Sequence, residues 1–182
     1  KHELPSDTRK TIYLTLFMPY VMYGAVCWYS NENSNVKRVI ILQKKAIRHV
    51  HKAKYNSHSD PLLKASKILK VDDVNTLLYC KLMYRYYHGK VSNFIKSSIQ
   101  VNQDLHQYNT RQSRNIHRVH TASMYERLKF EYKLSKCWND LPDHVKTLTC
   151  SIHTFTHKVK MYLLSRYNDK CTLLNCYICN RQ

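Results

Sequence analysis

Apolar positions recur at helical spacing along most of this chain, and one stretch sets the pattern. In VKRVIILQKKAIRHVHK, residues 36–52, Val36, Val39, Ile40, Gln43, Ile47 and Val50 fall on one face of a helix, with Leu42 and Ala46 at its edge. Lys37, Lys44, Lys45, Arg48 and Lys52 gather on another face. The pattern predicts a two-faced helix, one side suited to a protein core and the other to anions. Ser34 or Asn35 is placed to cap its start, since a short polar side chain accepts from the first orphan N–H groups. A charge run alone fits a solvated face equally well. The rest of the chain has to separate the two.

Ahead of this helix, residues 11–30 contain no Asp, Glu, Lys or Arg. That length is enough to span a bilayer. Pro19, Gly24 and several Thr and Tyr interrupt the run, and no second apolar run follows. It reads as a buried helix kinked at Pro19, or two short helices meeting there, behind a helix that starts near Thr8 under Ser6 or Asp7. Downstream, Asp60-Pro61 reads as N-cap and first-turn Pro of a short helix to about Lys67. Val74, Leu77, Leu78, Lys81, Leu82 and Arg85 form the row of a longer helix that closes with Gly89 at C′. Residues 91–99 predict a short helix. Residues 124–139 predict another, with a strand as the alternative near 128–132. Leu141-Pro142 turns the chain. Ser151 then caps a last helix whose buried row is Ile152, Phe155, Val159, Tyr162 and Leu163.

The segment 100–122 has no such pattern. It is polar and carries His106, Arg111, Arg114, His117, Arg118 and His120, with no acid after Asp104. It reads as a long basic loop, and long loops in compact domains are usually functional or disordered.

Charge changes the picture most. Among 182 residues, 30 Lys and Arg face 12 acids, a formal charge of +18, so the chain repels itself unless an acidic partner is present. Nucleic acid is the usual partner and an anionic membrane surface the rival. With only two Gly, Gly-rich phosphate loops and tight hairpins are nearly excluded, and helices joined by polar loops are favoured. Seven Cys, an odd number at irregular spacing with no signal peptide ahead, point to a reduced intracellular chain. The chain opens on Lys1 rather than Met, so a piece of a larger protein is the expectation.

Candidate chemistry is sparse. Asp72-Asp73 resembles a metal-binding aspartate pair, but it precedes a helical row and has no third carboxylate beside it; a helix N-cap is the reading kept. Cys171, Cys176 and Cys179 are soft-metal donors, and Cys150, His153 and His157 lie near one helix face. Structural zinc usually shows paired short spacings, so the tail thiols are read as free, with zinc the alternative. No Ser-His-Asp, Cys-His or paired-carboxylate arrangement stands out.

Six motifs in order carry a resemblance. FMPYVMYGAVCW at 17–28 precedes LQKKAIRHV at 42–50, then HSDPLLKASKILKVDDV at 58–74, HQYNTR at 106–111, CWNDLPDHV at 137–145 and the helix centred on Phe155. From about residue 8 to 167 the chain resembles the C-terminal end of the reverse transcriptase of non-LTR (LINE-type, jockey-like) retrotransposons, the region just past the palm. The resemblance implies a polymerase thumb whose helix lays Lys44, Lys45 and Arg48 along the template–primer duplex, with Lys37 and Lys52 on the same face by periodicity. It implies that Arg111, in a threonine–arginine motif, contacts phosphate, with Arg114 and Arg118 nearby, and that Trp138, in the Trp-Asn-x-Leu-Pro motif, packs. It implies magnesium ions in a palm that this chain lacks, and no cofactor here. Nucleus and cytoplasm are the expected compartments of the parent element.

The expected fold is all-α: an irregular helical bundle with thumb-like helices at 1–55, a helical C-terminal segment at 56–167 that includes the basic loop, and a Cys-containing tail at 168–182. The boundary between the first two falls within 53–59. The expected function is to grip RNA or an RNA–DNA template–primer beside the rest of the polymerase chain, without chemistry of its own, membrane or small-molecule substrate. A stand-alone host nucleic-acid-binding module is the alternative, and a protein anchored through residues 11–30 is a third.

Overall fold

The segment 34–50 contains no Pro, no Gly and no acid, and forms one unbroken helix, α4 (Ser34–Val50). Around it, the computed structural model describes residues 4–29, 34–105, 112–118 and 123–168. These residues are helical with no strand; residues 101 and 116 form an isolated antiparallel bridge. The chain divides into two compact units, Lys1–Asn75 with Lys160–Gln182, and Thr76–Val159. The boundary expected within 53–59 lies inside the first unit.

In the first unit α1 (Ser6–Ile12) runs into a π-helical turn (Tyr13–Phe17), then α2 (Met18–Met22) and α3 (Ala25–Trp28). Pro19 does not break the helix: it sits in the first turn of α2, where its missing N–H is not needed. The break falls at Tyr23-Gly24, where Tyr23 is extended and Gly24 adopts φ 60°. The run is not wholly buried either. Tyr13, Val21, Ala25 and Tyr29 point inward while Leu14, Leu16, Tyr20 and Tyr23 stay exposed. Among the described residues no helix is long and apolar enough to cross a membrane.

α4 buries Val36, Gln43, Ile47 and Val50, and Gln43 is the polar centre of this unit. Its Nε2 donates to Tyr13 Oη at 2.9 Å and to Leu69 O at 2.8 Å, and its Oε1 accepts from Val71 N at 3.0 Å. That last bond satisfies an orphan donor at the start of α6 (Val71–Tyr87). Asp72 and Asp73 therefore are not the cap. They lie in the first turn, where a helix dipole favours negative charge. Each also accepts a phenol: Tyr29 Oη donates to Asp72, and Tyr167 Oη to Asp73 at 2.5 Å. Burial raises the Asp73 carboxyl above its ordinary range, with the Tyr167 bond opposing.

α5 (Ser59–Ser66) starts one residue before the expected cap, so Asp60 and Pro61 fall inside its first turn; Asp60 pairs with Lys70 at 2.7 Å. Lys67 ends it in the left-handed region at φ 56°.

Burial pushes the Tyr13 phenol up to about 12, with the Gln43 bond opposing, and raises Tyr167 as well. Below about pH 10 such a phenol is protonated in both folded and unfolded chains. Its contribution to stability is then whole, and is lost as pH rises through the folded value. Melting temperature is expected to fall steeply above about pH 10. Tyr13→Phe should flatten that fall; thermal melts across the alkaline range giving the same slope for both proteins would refute the assignment.

The second unit is built on aromatic rings. Tyr84 stacks on Phe155 with centroids 4.2 Å apart, and Trp138 lies 5.5 Å from Tyr87 and 6.4 Å from Phe155. Gly89, at φ 69°, follows the end of α6 as expected. The expected row of α6 holds at Val74 and Leu77, but Arg85 is exposed, and Tyr79, Cys80 and Met83 are buried instead. α7 (Asn93–Ser97) and α8 (Asn102–Leu105) are short. The helix expected over 124–139 is two, α9 (Met124–Leu128) and α10 (Phe130–Asn139), separated where Lys129 is extended at ψ 147°. Ser123 and Glu126 form a capping box at the start of α9, a spacing visible in the sequence. α11 (Asp143–Lys146) follows Pro142, and α12 (Ile152–Ser165) begins under Ser151, whose Oγ accepts from Thr154 N at 3.2 Å.

Candidate nucleic-acid interface

Because α4 commits Val36, Gln43 and Ile47 to the interior, the residues one and two places on from Val36 and Gln43 turn toward the open face. Lys37, Lys44 and Lys45 are exposed there, as the spacing predicts. Arg38 is exposed beside them and completes a set of four cations; the same periodicity marks it, four residues before Leu42 and seven before Lys45. No acid lies anywhere in α4, so nothing on the helix offsets this charge.

The open face is mixed rather than purely basic. Ile41 is 52% exposed and Leu42 54% exposed. Leu42 was expected at the edge of the buried face; it is exposed instead, next to Arg38 around the helix.

Arg48 and Lys52 belong to a different setting. Arg48 is half-buried and its Nε donates to Ser57 O at 2.6 Å, which ties the end of α4 to the following turn. Lys52 lies past the helix in the left-handed region at φ 51°, exposed. Lys37, Lys44 and Lys45 extend along the helix, while Arg48 and Lys52 sit at its C-terminal end.

In the second unit, Arg114 and Arg118 are exposed but anchored. The Arg114 carbonyl accepts from Trp138 Nε1 at 2.9 Å and from Tyr87 Oη at 2.6 Å. Its Nη1 donates to Lys146 O at 3.4 Å. Arg118 reaches Ser135 O at 3.4 Å and Asp140 at 3.6 Å. An ion pair so exposed contributes little in water. Asn139 clamps the same segment: its Oδ1 accepts from Ile116 N and its Nδ2 donates to Ile116 O, both at 2.9 Å. The Trp-Asn-x-Leu-Pro motif thus works as a fastener for residues 112–118. Trp138 packs, as expected, with no exposed surface.

Sequence reasoning missed Lys146. Its side chain is buried and its ammonium donates to Asn115 Oδ1 at 2.9 Å, Asn139 O at 3.0 Å and Asp143 Oδ1 at 3.3 Å. Three acceptors match the three donors of a lysine, so this charge is structural. Its one local signal was Asp143 three residues earlier.

Arg111, Cys171, Cys176 and Cys179 lie outside the described residues. Among the described residues no three His, Cys, Asp or Glu converge as a metal site; His153 and His157 point to solvent from α12. Burial raises the thiols of Cys80 and Cys137, which keeps both protonated and unreactive. The structure therefore offers a basic helix face in one unit and two anchored arginines in the other. Comparison with protein-family models, with curated proteins and with solved structures finds no match for the chain.

Proposed function

We propose that the chain is the thumb and C-terminal segment of a LINE-type reverse transcriptase, an irregular helical bundle with a basic loop that grips an RNA or RNA–DNA template–primer. The observation that carries the binding role is the division of α4. Lys37, Arg38, Lys44 and Lys45 are exposed on one side, and Val36, Gln43, Ile47 and Val50 are buried on the other. Such a face neutralises backbone phosphates and releases counterions, which gives sequence-independent binding. That suits a surface along which a duplex must slide. Arg114, held by its carbonyl, and Arg118, whose guanidinium reaches Ser135 O and Asp140, are two further exposed cations in the second unit. Catalysis, with its magnesium ions, belongs to a palm elsewhere in the parent polymerase.

Binding to a fluorescent RNA–DNA hybrid, measured against salt, tests this. Four phosphate contacts give a slope of log affinity on log salt of roughly −3 to −4. Lys37, Lys44 and Lys45 changed together to Ala should reduce that slope by about 2–3 while helicity is unchanged, since all three are off the buried face. Arg48 is left out of the set because its bond to Ser57 supports the fold. A salt-independent affinity would overturn the proposal.

A further inference from the structure

The C-terminal end of α4 borders an open cleft of about 360 Å³ lined by Leu4, Arg9, Arg48, His49, Lys52 and Ala53. Three of these six side chains, Arg9, Arg48 and Lys52, are basic, and among the described residues no acid lines it. Arg9 is the telling one. It is only 9% exposed. Its Nη1 donates to His49 O at 2.7 Å, yet its Nε is buried with no hydrogen-bond partner. An arginine cannot shed its proton, and a buried donor without an acceptor is costly. Ser6 Oγ donates to Val50 O at 3.0 Å, so two terminal carbonyls of α4 already have donors and do not supply the missing acceptor.

We infer that this cleft is a phosphate-binding pocket. Arg9 forms its floor, and Arg48 and Lys52 close on the anion from the end of α4. A phosphate oxygen supplies the acceptor that Arg9 Nε lacks, in a charge-assisted hydrogen bond. Arg48 is pre-positioned by its bond to Ser57, so little side-chain freedom is lost on binding. Leu4 and Ala53 supply an apolar wall. The pocket is separate from the open face of Lys37, Lys44 and Lys45, and does not depend on duplex binding there. Its ligand is a single phosphate group, carried by a strand end or free in solution.

The test uses inorganic phosphate on the whole chain, with chloride at equal ionic strength as reference. Melting temperature should rise with phosphate and saturate. Arg9→Met should abolish the rise. Lys52→Asn, which retains a residue tolerant of the left-handed backbone, should weaken phosphate about tenfold without loss of fold. Lys158→Gln, an exposed lysine elsewhere in the chain, should leave the rise intact. A second arm compares one oligonucleotide with a 5′-phosphate and with a 5′-hydroxyl. Tighter binding of the phosphorylated strand, lost in Lys52→Asn, assigns the pocket to a strand end; equal binding with a persisting phosphate rise assigns it to free phosphate. Equal melting in phosphate and chloride, or a rise unchanged by both Arg9→Met and Lys52→Asn, would overturn the inference.

Discussion

Trp138→Ala is expected to destabilise the second unit by about 3–5 kcal/mol, the range for deleting a fully buried aromatic ring. Trp138 has no exposed surface, and its neighbours Tyr87 and Phe155 are rings with little freedom to collapse into the space. The indole also donates to the Arg114 carbonyl, leaving Tyr87 Oη as the remaining donor there. Two effects therefore add: a cavity, and a loosened hold on residues 112–118. Urea denaturation followed by far-UV circular dichroism gives the number without relying on the lost indole fluorescence. Trp138→Phe separates the parts, since it refills most of the volume and removes only the hydrogen bond, at a cost of about 1 kcal/mol. A near-neutral Trp138→Ala would mean that the ring is a surface for stacking.

Gln43→Leu is the second large effect. Leucine approximates the glutamine in bulk, so little packing changes. What is lost is one acceptor and two donors, and Val71 N–H, Leu69 C=O and Tyr13 Oη each lose a partner inside the first unit. Tyr13 Oη keeps its bond to Met18 Sδ, so two groups are left bare; at about 1–3 kcal/mol for each buried polar group without its bond, the expected total is roughly 2–6 kcal/mol. The start of α6 should loosen first, because Gln43 serves the N–H of Val71. Amide hydrogen exchange at Val71, alongside urea denaturation, is the paired measurement. A neutral Gln43→Leu with Val71 still protected would show that the amide is not the cap.

These two residues mark the limit of what the sequence makes legible. Trp138 could be read as a packing residue because an aromatic within a helical apolar pattern has few other uses. Gln43 could be placed on the buried face of α4 by period alone, but its partners lie 26 to 30 residues away and no local spacing encodes them. Helix ends show the same contrast. Gly89 and Ser151 act through their own backbone or side chain and were readable. The start of α6 depends on Gln43, and the break at Lys129 has no Gly or Pro to announce it. On the candidate site, the exposure of Lys37, Lys44 and Lys45 followed from periodicity. Arg9 did not, because a lone arginine in a seven-residue helix looks solvated until α4 is folded against it. α6 misled for a related reason: it is buried on more than one side, and a single apolar row cannot describe it.

The π-helical turn at Tyr13–Phe17 carries a consequence for how this chain tolerates changes in length. Such a turn holds one residue more than the α-helix it interrupts. Each residue of an α-helix advances the chain by about 100° of rotation. The extra residue therefore sets the angle between what lies before the turn and what lies after it. Arg9 lies before it and Tyr13 opens it, both directed at α4; after it come Val21 and Ala25, directed at the interior. Deleting one residue within 13–17 would let the turn relax into regular helix, yet rotate those two groups out of step. Substitutions at exposed Leu14 or Leu16 keep the count and so keep the angle. In this stretch residue number, rather than residue type, is the inherited constraint.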